Sequence, residues 1–232
     1  MIYKCGDGKD AVEVHISDVV DLAREAGGLI MNVYTDPENL GVRTKSDETP
    51  VTRADILANE LICSRLAKAY PGIPIISEES EHLPYEERRH YQHYWVVDPL
   101  DGTKDFIYRT GDFGVMIGLC QGDSPVIGVV HAPARGGEPM TYYASKGLGS
   151  FSSPGGAGVK GLEGSVPIRV RSFDAAATEG LILVVSRSRP PAEFISSCAG
   201  ATVRLGVGER GERGCGTGGV GDGVLGFWFR VW

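Results

Sequence analysis

The sequence has no pair of cysteines spaced as C-x-x-C, no long apolar run and no excess of basic residues. Its five cysteines lie far apart in a chain of 232 residues, which argues against a disulfide scaffold or a zinc site and favours a reducing compartment. No apolar stretch approaches the ~20 residues that span a bilayer, and residues 1–13 lack the apolar segment of a signal peptide. The net charge of −7 provides no basic surface for nucleic acid or an anionic membrane. We therefore expect a cytoplasmic protein with neither of these as a partner.

The end of the chain differs in composition from the rest. Hydrophobic residues make up 42% and charged residues 23% of the whole sequence, which is ordinary for a folded protein. Eleven of the last 33 residues are glycine, and no helical or strand period continues beyond 201–205. Burial in such a segment cannot easily offset the entropy of ordering it. We predict an incomplete globular domain over 1–199 and a divergent glycine-rich tail over 200–232.

Hydrophobic periodicity predicts two helices followed by a run of strands. Apolar residues recur at helical spacing over 11–34 and over 53–70. Residues 152–166 have the composition of a flexible loop. Short apolar runs predict strands at 73–76, 94–97, 115–120, 126–131, 141–144, 168–171 and 181–185. Helices that precede a run of strands indicate a layered α+β or α/β fold.

The strongest local pattern is an apolar strand, 94–97, with two carboxylates just beyond its end. Asp98 follows the strand directly, and Asp101 lies three residues on, at the start of a predicted helix. Two carboxylates and the carbonyl group of Leu100 can bind one hard cation, and Gly102 lets a ligand approach the backbone closely. The alternative is an Asp-Gly turn in which Asp101 caps a helix.

Two acidic stretches precede this pattern. Glu78 and its neighbour Glu79 follow the predicted strand 73–76, and open sheets bind ligands at the carboxyl ends of their strands; a solvated acidic loop is the alternative. Thr52 and Asp55 have the spacing of a capping box for the second helix. Asp55 can also orient a water at a metal ion, because the two roles use different faces of the helix start.

Three stretches together resemble, in order and spacing, the lithium-sensitive, magnesium-dependent phosphatases of the inositol monophosphatase superfamily. They are PVTRAD at 50–55, SEES at 77–80 and WVVDPLDGTKDF at 95–106. Four features are most similar to the branch of 3'(2'),5'-bisphosphate nucleotidases: Lys104 and the stretches 111–119, 128–136 and 184–193. The resemblance covers roughly residues 11–199. It implies the layered α/β sugar-phosphatase fold, incomplete at its C-terminal end.

The resemblance also implies a set of metal ligands. Glu78 and Asp98, with the carbonyl group of Leu100, would bind a first Mg²⁺ ion. Asp98 and Asp101 would hold a second. Members of the family carry a later Trp-Asp motif whose aspartate completes this second site, and this sequence has none. A frameshift, an alternative splice end or a mis-predicted gene end is our hypothesis for the missing motif and the unusual tail.

Catalytic and substrate-binding roles follow from the same resemblance. Glu78 and Thr103 would orient and deprotonate the attacking water, with Asp55 supporting the water network or a further metal ion. Arg187 can meet a nucleotide phosphate through its guanidinium group, or it can be a solvated loop charge. The residues expected to contact the substrate are Glu78, Leu100, Asp101, Gly102, Thr103, Lys104 and Arg187.

The implied activity is that of a Mg²⁺-dependent phosphomonoesterase. It would remove the 3'-phosphate of adenosine 3',5'-bisphosphate (PAP) and release AMP and phosphate. The expected partner is therefore a small phosphorylated nucleotide, PAP or PAPS. An inositol monophosphatase or another small sugar-phosphate phosphatase is the alternative within the same enzyme class. A catalytically impaired remnant that binds metal or nucleotide is the alternative outside it, and the missing Trp-Asp motif favours that alternative.

Overall fold

The structure, a computed structural model, divides into two compact units, Met1–Ile168 and Arg169–Trp232. The residues that it describes are 1–5, 11–36, 38, 40–45, 48–81, 83–170, 181–185 and 203–207. The predicted boundary between 199 and 200 lies outside these residues and stays a prediction. Within the described part of the chain, no helix combines the length and the hydropathy needed to cross a bilayer.

The first unit consists of helices and strands, and the second unit shows one strand pair among its described residues. The helices are α1 (Ile16–Tyr34), α2 (Arg53–Ala69), α3 (Tyr85–Arg88) and α4 (Thr103–Ile107). The strands of the first unit are β1 (Ile2–Cys5), β2 (Val12–His15), β3 (Arg43–Thr44), β4 (Pro50–Val51), β5 (Ile75–Ser77), β6 (His93–Asp101), β7 (Gly114–Gln121), β8 (Ser124–Ala132), β9 (Met140–Ser145), β10 (Gly149–Pro154) and β11 (Val166–Ile168). In the second unit, β12 (Leu181–Val185) and β13 (Val203–Val207) pair in parallel.

The main sheet has seven strands in the order β11-β10-β9-β8-β7-β6-β5. Strands β5 and β6 run parallel, and each remaining neighbouring pair is antiparallel. Helix α1 packs against β7, β8 and β9, and α2 packs against β5 and β6. The predicted layered arrangement of helices on a mixed sheet is confirmed.

The hydrophobic core lies between this sheet and the two long helices. Val97, Ile117, Val129 and Tyr143 face one another across four strands in direct register, and all four are almost fully buried. Direct partners point to the same side of a sheet, so one residue in two along each strand faces the helices. The residues between them, Asp98 included, point to the opposite face.

The helix predicted over 11–34 begins later, at Ile16. Residues Val12–His15 instead form β2, which pairs antiparallel with β1. In this segment Val14 is buried while Glu13 and His15 are exposed. This alternation is typical of a strand with one covered face, and it prevails over the helical spacing of the following residues.

The flexible loop predicted over 152–166 is partly a strand. Residues 152–154 complete β10, which pairs on both sides with β9 and β11. The guanidinium group of Arg24 on α1 donates to Ser153 Oγ at 2.8 Å, to the carbonyl oxygen of Pro154 at 2.8 Å and to that of Gly161 at 2.7 Å. A buried arginine therefore fixes a segment whose glycine-rich composition predicts mobility.

His131 on β8 fills the space between the sheet and α1. It is 2% exposed, and one ring nitrogen lies 2.9 Å from the hydroxyl group of Thr141. Burial, followed by the nearby charge of Arg24, lowers the pKa of His131 to about 4. A Cβ atom on Gly27 would stand 2.3 Å from the imidazole ring. The close packing of α1 on the sheet therefore requires glycine at this position.

Replacing Gly27 by alanine is expected to lower the free energy of unfolding by about 1–3 kcal/mol, as overpacked core positions do. The matched control is Gly28→Ala on the same helix, where no atom lies within 4 Å of the added Cβ. That variant should gain about 0.5–1 kcal/mol from alanine's helix propensity. Urea denaturation of both variants measures the difference. Equal effects at the two positions would contradict the packing described for His131.

Candidate active site

Two carboxylates lie side by side where β5 ends, Glu78 directly after that strand and Asp98 within β6. The strand predicted over 94–97 continues to Asp101, so Asp98 does not follow its end. Ser77 of β5 is in register with Val97 of β6, and the backbone N–H of Glu78 donates to the carbonyl oxygen of Val97 at 3.0 Å. Glu78 and Asp98 are therefore the next residues after a matched pair. The two predicted stretches therefore lie together, although only β5 ends at this point.

An irregularity in β6 brings Asp101 to the face that carries Asp98. In a regular strand, residues three apart point to opposite faces. Here Asp98 is opposite Met116 while Asp101 is opposite Gly114, so the register shifts by one residue between the two aspartates. The extra residue makes this a β-bulge, and Pro99 within it lacks an N–H to donate to the ladder. The bulge thus places both carboxylates on the same side.

Gly102 makes the turn from β6 into α4. Its backbone has φ +82° and ψ 36°, a left-handed conformation that glycine adopts without strain. A Cβ atom here would also stand 2.7 Å from the carbonyl oxygen of Asp112. Gly102 was predicted to allow a ligand close to the backbone. In the structure, the turn itself and the neighbouring carbonyl group of Asp112 already require glycine at this position.

Thr103 and Asp55 are joined by a hydrogen bond across 48 residues of sequence. The Thr103 hydroxyl lies 3.3 Å from Asp55 Oδ1 and 3.3 Å from the carbonyl oxygen of Leu100. The other oxygen of Asp55 accepts hydrogen bonds from the backbone N–H and the hydroxyl group of Thr52, which forms the predicted capping box. Asp55 is 1% exposed, and burial raises its pKa. One carboxylate therefore caps α2 and contacts Thr103.

Asp98 carries the most perturbed carboxyl group of the site. The residue as a whole is half-buried, but its Oδ1 is shielded from solvent and has no hydrogen-bond partner. Burial first, and then the charges of Glu78 and Asp101, raise the pKa of Asp98 to about 9. Burial and the charge of Glu78 raise the pKa of Asp101 to about 6. A cation would offset both causes, because it would neutralise the repulsion and bind the unpaired oxygen.

The chemistry of these groups fits Mg²⁺. Within the described ranges, no three His, Cys, Asp or Glu side chains are already arranged as a metal-ligand set. Mg²⁺ does not require one, because it is commonly bound by one or two carboxylates and completes its octahedron with water and substrate oxygens. Glu78 and Asp98 are close enough to share a hydrogen bond. The unpaired Oδ1 of Asp98 is the oxygen that a bound cation would stabilise most.

Glu79, predicted with Glu78 as a carboxylate pair, and Lys45, to which no role was assigned, also belong to this cluster. The ammonium group of Lys45 lies 3.2 Å from Glu78 Oε1 and 2.6 Å from Glu79 Oε1. The side chain of Glu79 is only 9% exposed, and burial raises its pKa while the hydrogen bond from Lys45 opposes the rise. The acidic stretch itself indicated Glu79. No local pattern could indicate Lys45, which lies more than thirty residues earlier.

The remaining predicted contacts are exposed or lie outside the described residues. Lys104 is exposed at the start of α4. Arg187 lies outside the described residues, so its role stays a prediction. The structure brings together the other predicted residues of the site: Asp55, Glu78, Asp98, Leu100, Asp101, Gly102 and Thr103.

The sequence profile of the inositol monophosphatase family matches residues 12–210 of the chain. The chain belongs to this family. Among the solved structures, it is similar to CysQ from Bacteroides thetaiotaomicron, described as a bacterial member of the inositol monophosphatase family. That similarity has a TM-score of 0.65 and 32% identity, and covers 81% of this chain and 69% of the other. The predicted family and fold are therefore confirmed.

Curated relatives place the similarity within the nucleotidase branch. The chain is 37% identical over 177 residues to the 3'(2'),5'-bisphosphate nucleotidase CysQ of Aggregatibacter actinomycetemcomitans, which covers 75% of this chain and 64% of the relative. It is 46% identical over 132 residues to the protein of the same name from Salmonella typhimurium, which covers 57% of this chain and 52% of the relative. The chain thus spans about half to two thirds of the length of these relatives.

Replacing Asp98 by asparagine is expected to stabilise the metal-free protein at neutral pH. The Asp98 pKa rises from 3.8 to about 9 on folding, so at neutral pH folding takes up a proton, which makes stability fall as pH rises between these values. Asparagine has a similar shape and needs no proton. The gain should be roughly 2 kcal/mol or more near pH 7 and should vanish near pH 4, where the unfolded chain also holds its proton.

Urea denaturation in the presence of a chelator measures this effect at both pH values. The control is Asp123→Asn, because Asp123 is an exposed carboxylate in the turn between β7 and β8. The control should change stability little at either pH. A destabilised Asp98→Asn protein, or a gain of equal size at the two pH values, would show that Asp98 is not held protonated by its neighbours.

Proposed function

We propose that the protein is a Mg²⁺-dependent phosphomonoesterase that hydrolyses the 3'-phosphate of PAP to AMP and phosphate by metal-activated water. The observation that carries the proposal is the buried, unpaired oxygen of Asp98 beside the carboxyl groups of Glu78 and Asp101. Relatives at 37% and 46% identity named as 3'(2'),5'-bisphosphate nucleotidases support the choice of substrate. PAPS is the second nucleotide that we would expect at the site. The cytoplasmic location stays a prediction.

The metal ions would be held by Glu78, Asp98, Asp101 and the carbonyl group of Leu100. Bound metal ions lower the pKa of water, and they stabilise the attacking and leaving oxygens of an in-line displacement. The carboxylates hold the net negative charge that these cations offset. Because the substrate is also an anion, the same cations would remove its repulsion from an acidic protein.

Thr103 and Glu78 would prepare the attacking water. When the Thr103 hydroxyl donates its hydrogen to Asp55 Oδ1, its oxygen lone pairs remain free to accept a hydrogen bond from water. The carboxylate of Asp55 is fixed in this orientation, because its second oxygen accepts a hydrogen bond from the backbone N–H of Thr52. The side chain of Glu78 is partly exposed, so its carboxylate can accept the proton that the water loses.

The region around Gly102 would hold the phosphate group. The left-handed turn at Gly102 directs the chain into α4, and the first backbone N–H groups of that helix have no partner within it. Lys104 would add positive charge beside them, and Arg187 would contact a second phosphate of the nucleotide. Both basic residues distinguish a bisphosphate from a simple monoester.

Phosphate release from PAP, with inositol 1-phosphate measured beside it, tests the proposal. We expect Mg²⁺-dependent release from PAP and a drop of at least about 100-fold in kcat/KM for Asp98→Asn, because a metal ligand is lost. Asp123→Asn should keep full activity. Preference for inositol 1-phosphate would favour the other phosphatase activity. Calorimetric binding of Mg²⁺ and PAP without phosphate release would favour an impaired remnant.

Two substitutions at Thr103 test the role of its hydroxyl group. Thr103→Ser keeps the hydroxyl group and is expected to retain kcat within about tenfold, whereas Thr103→Val keeps the shape, lacks the hydroxyl and should lose about 10²–10³-fold in kcat. KM for PAP should change little in both, since the hydroxyl acts on water. Equal kcat values for the serine and valine variants would remove Thr103 from the mechanism.

A further inference from the structure

A polar cluster on α2 lies beneath the turn that carries Glu78 and Glu79. Asn59 stands one helical turn beyond Asp55 on this helix. Its side-chain oxygen accepts a hydrogen bond from the Ser77 hydroxyl at 2.6 Å, and its side-chain nitrogen donates to the Ser80 hydroxyl at 3.3 Å. One amide group therefore contacts both residues that flank the two glutamates.

The backbone of this turn has few other attachments. The N–H of Ser80 donates to the carbonyl oxygen of Ser77 at 3.1 Å, which closes the turn, and the N–H of Glu78 donates to Val97. Strand β5, which leads into the turn, has three residues and lies at the edge of the sheet, and among the described residues it pairs with β6 alone. The hydrogen bonds to Asn59 therefore tie the end of a short edge strand to a long helix.

The chemistry at this position requires an amide. The Asn59 oxygen accepts from two donors, because the thiol of Cys63 also lies 3.2 Å from it. Its nitrogen supplies the donor for Ser80 in the same plane. An aspartate would lack that donor and add a negative charge near Glu78 and Glu79. An apolar residue would leave the Ser77 hydroxyl, whose residue is 1% exposed, without this acceptor.

We propose that Asn59 is a positioning residue of the candidate site. It fixes the Ser77–Ser80 turn and thereby sets where the carboxylate of Glu78 stands relative to Asp98. Residues that orient metal ligands commonly change metal affinity 10–100-fold when replaced. The consequence for metal binding rests on the proposed function, whereas the effect on the turn itself does not depend on a metal ion.

Two measurements on Asn59→Leu test this role. Hydrogen exchange of the metal-free protein reports on the turn, and Mn²⁺ binding followed by electron paramagnetic resonance reports on the ligands. We expect exchange in a peptide covering 77–80 to rise about tenfold and the dissociation constant for Mn²⁺ to rise by about the same factor. The control is Ser64→Ala on the next turn of α2, where the residue is exposed and its hydroxyl donates to the carbonyl oxygen of Leu61.

Ser80→Ala provides a second route to the same turn. Ser80 is exposed, so this variant removes one contact of Asn59 without disturbing the core. It should raise exchange in the same peptide and weaken Mn²⁺ binding, and adding it to Asn59→Leu should have little further effect, because partners in one contact are not additive.

Unchanged exchange at 77–80 in Asn59→Leu would overturn the proposal. A lower stability with an unchanged Mn²⁺ dissociation constant would overturn it too, since that result describes a merely structural contact. If the unmodified protein binds no Mn²⁺, the proposed function fails. The exchange measurement then still decides whether Asn59 holds the turn.

Discussion

The burial of Asp98 beside two further carboxyl groups is the constraint on which the site depends. Asp98 lies between Glu78 and Asp101 with one oxygen buried and unpaired, and its pKa near 9 expresses the cost of charging it there. A fold that places like charges together without compensation gives up stability, which proteins accept mainly at functional sites. The divalent cation of the proposed reaction is the natural compensation. The same carboxyl groups would therefore account for the cost to stability in the metal-free protein and for metal binding in the proposed reaction.

The surrounding structure keeps these groups from moving apart. The bulge in β6 fixes Asp101 on the face of Asp98, and the left-handed turn at Gly102 leads directly into Thr103. Helix α2 also contributes two side chains that fix parts of the site. Asp55 and Asn59 are four residues apart and therefore lie on one face of that helix, where one contacts Thr103 and the other contacts the turn that carries Glu78. A single rigid helix thus aligns two parts of the site.

The sequence predicted what local patterns encode. The strand before Glu78, the strand that carries Asp98 and the capping box at Asp55 follow from hydrophobic runs and from spacing, although β6 continues four residues past its predicted end. The strand β2 lies where the spacing predicts the start of a helix, because Val12 also fits the helical period of the residues that follow. Contacts between distant segments, such as that of Lys45 with Glu79, leave no repeating pattern in the sequence from which they could be predicted. The common orientation of Asp98 and Asp101 depends on a register shift, which only pairing with β7 reveals.

The division of roles among these residues shows where substrate preference must originate. The carboxylates, Thr103 and the turn at Gly102 would recognise a metal ion, a water and a phosphoryl group, all of which are common to every phosphate monoester. None of them would contact a base or a second phosphate. Among the predicted residues, only Lys104 and Arg187 lie outside that shared chemistry, and they are basic residues on separate segments. Any preference for a nucleotide bisphosphate over a sugar phosphate would therefore have to arise beyond the carboxylate cluster, in groups that act on binding rather than on the attacking water.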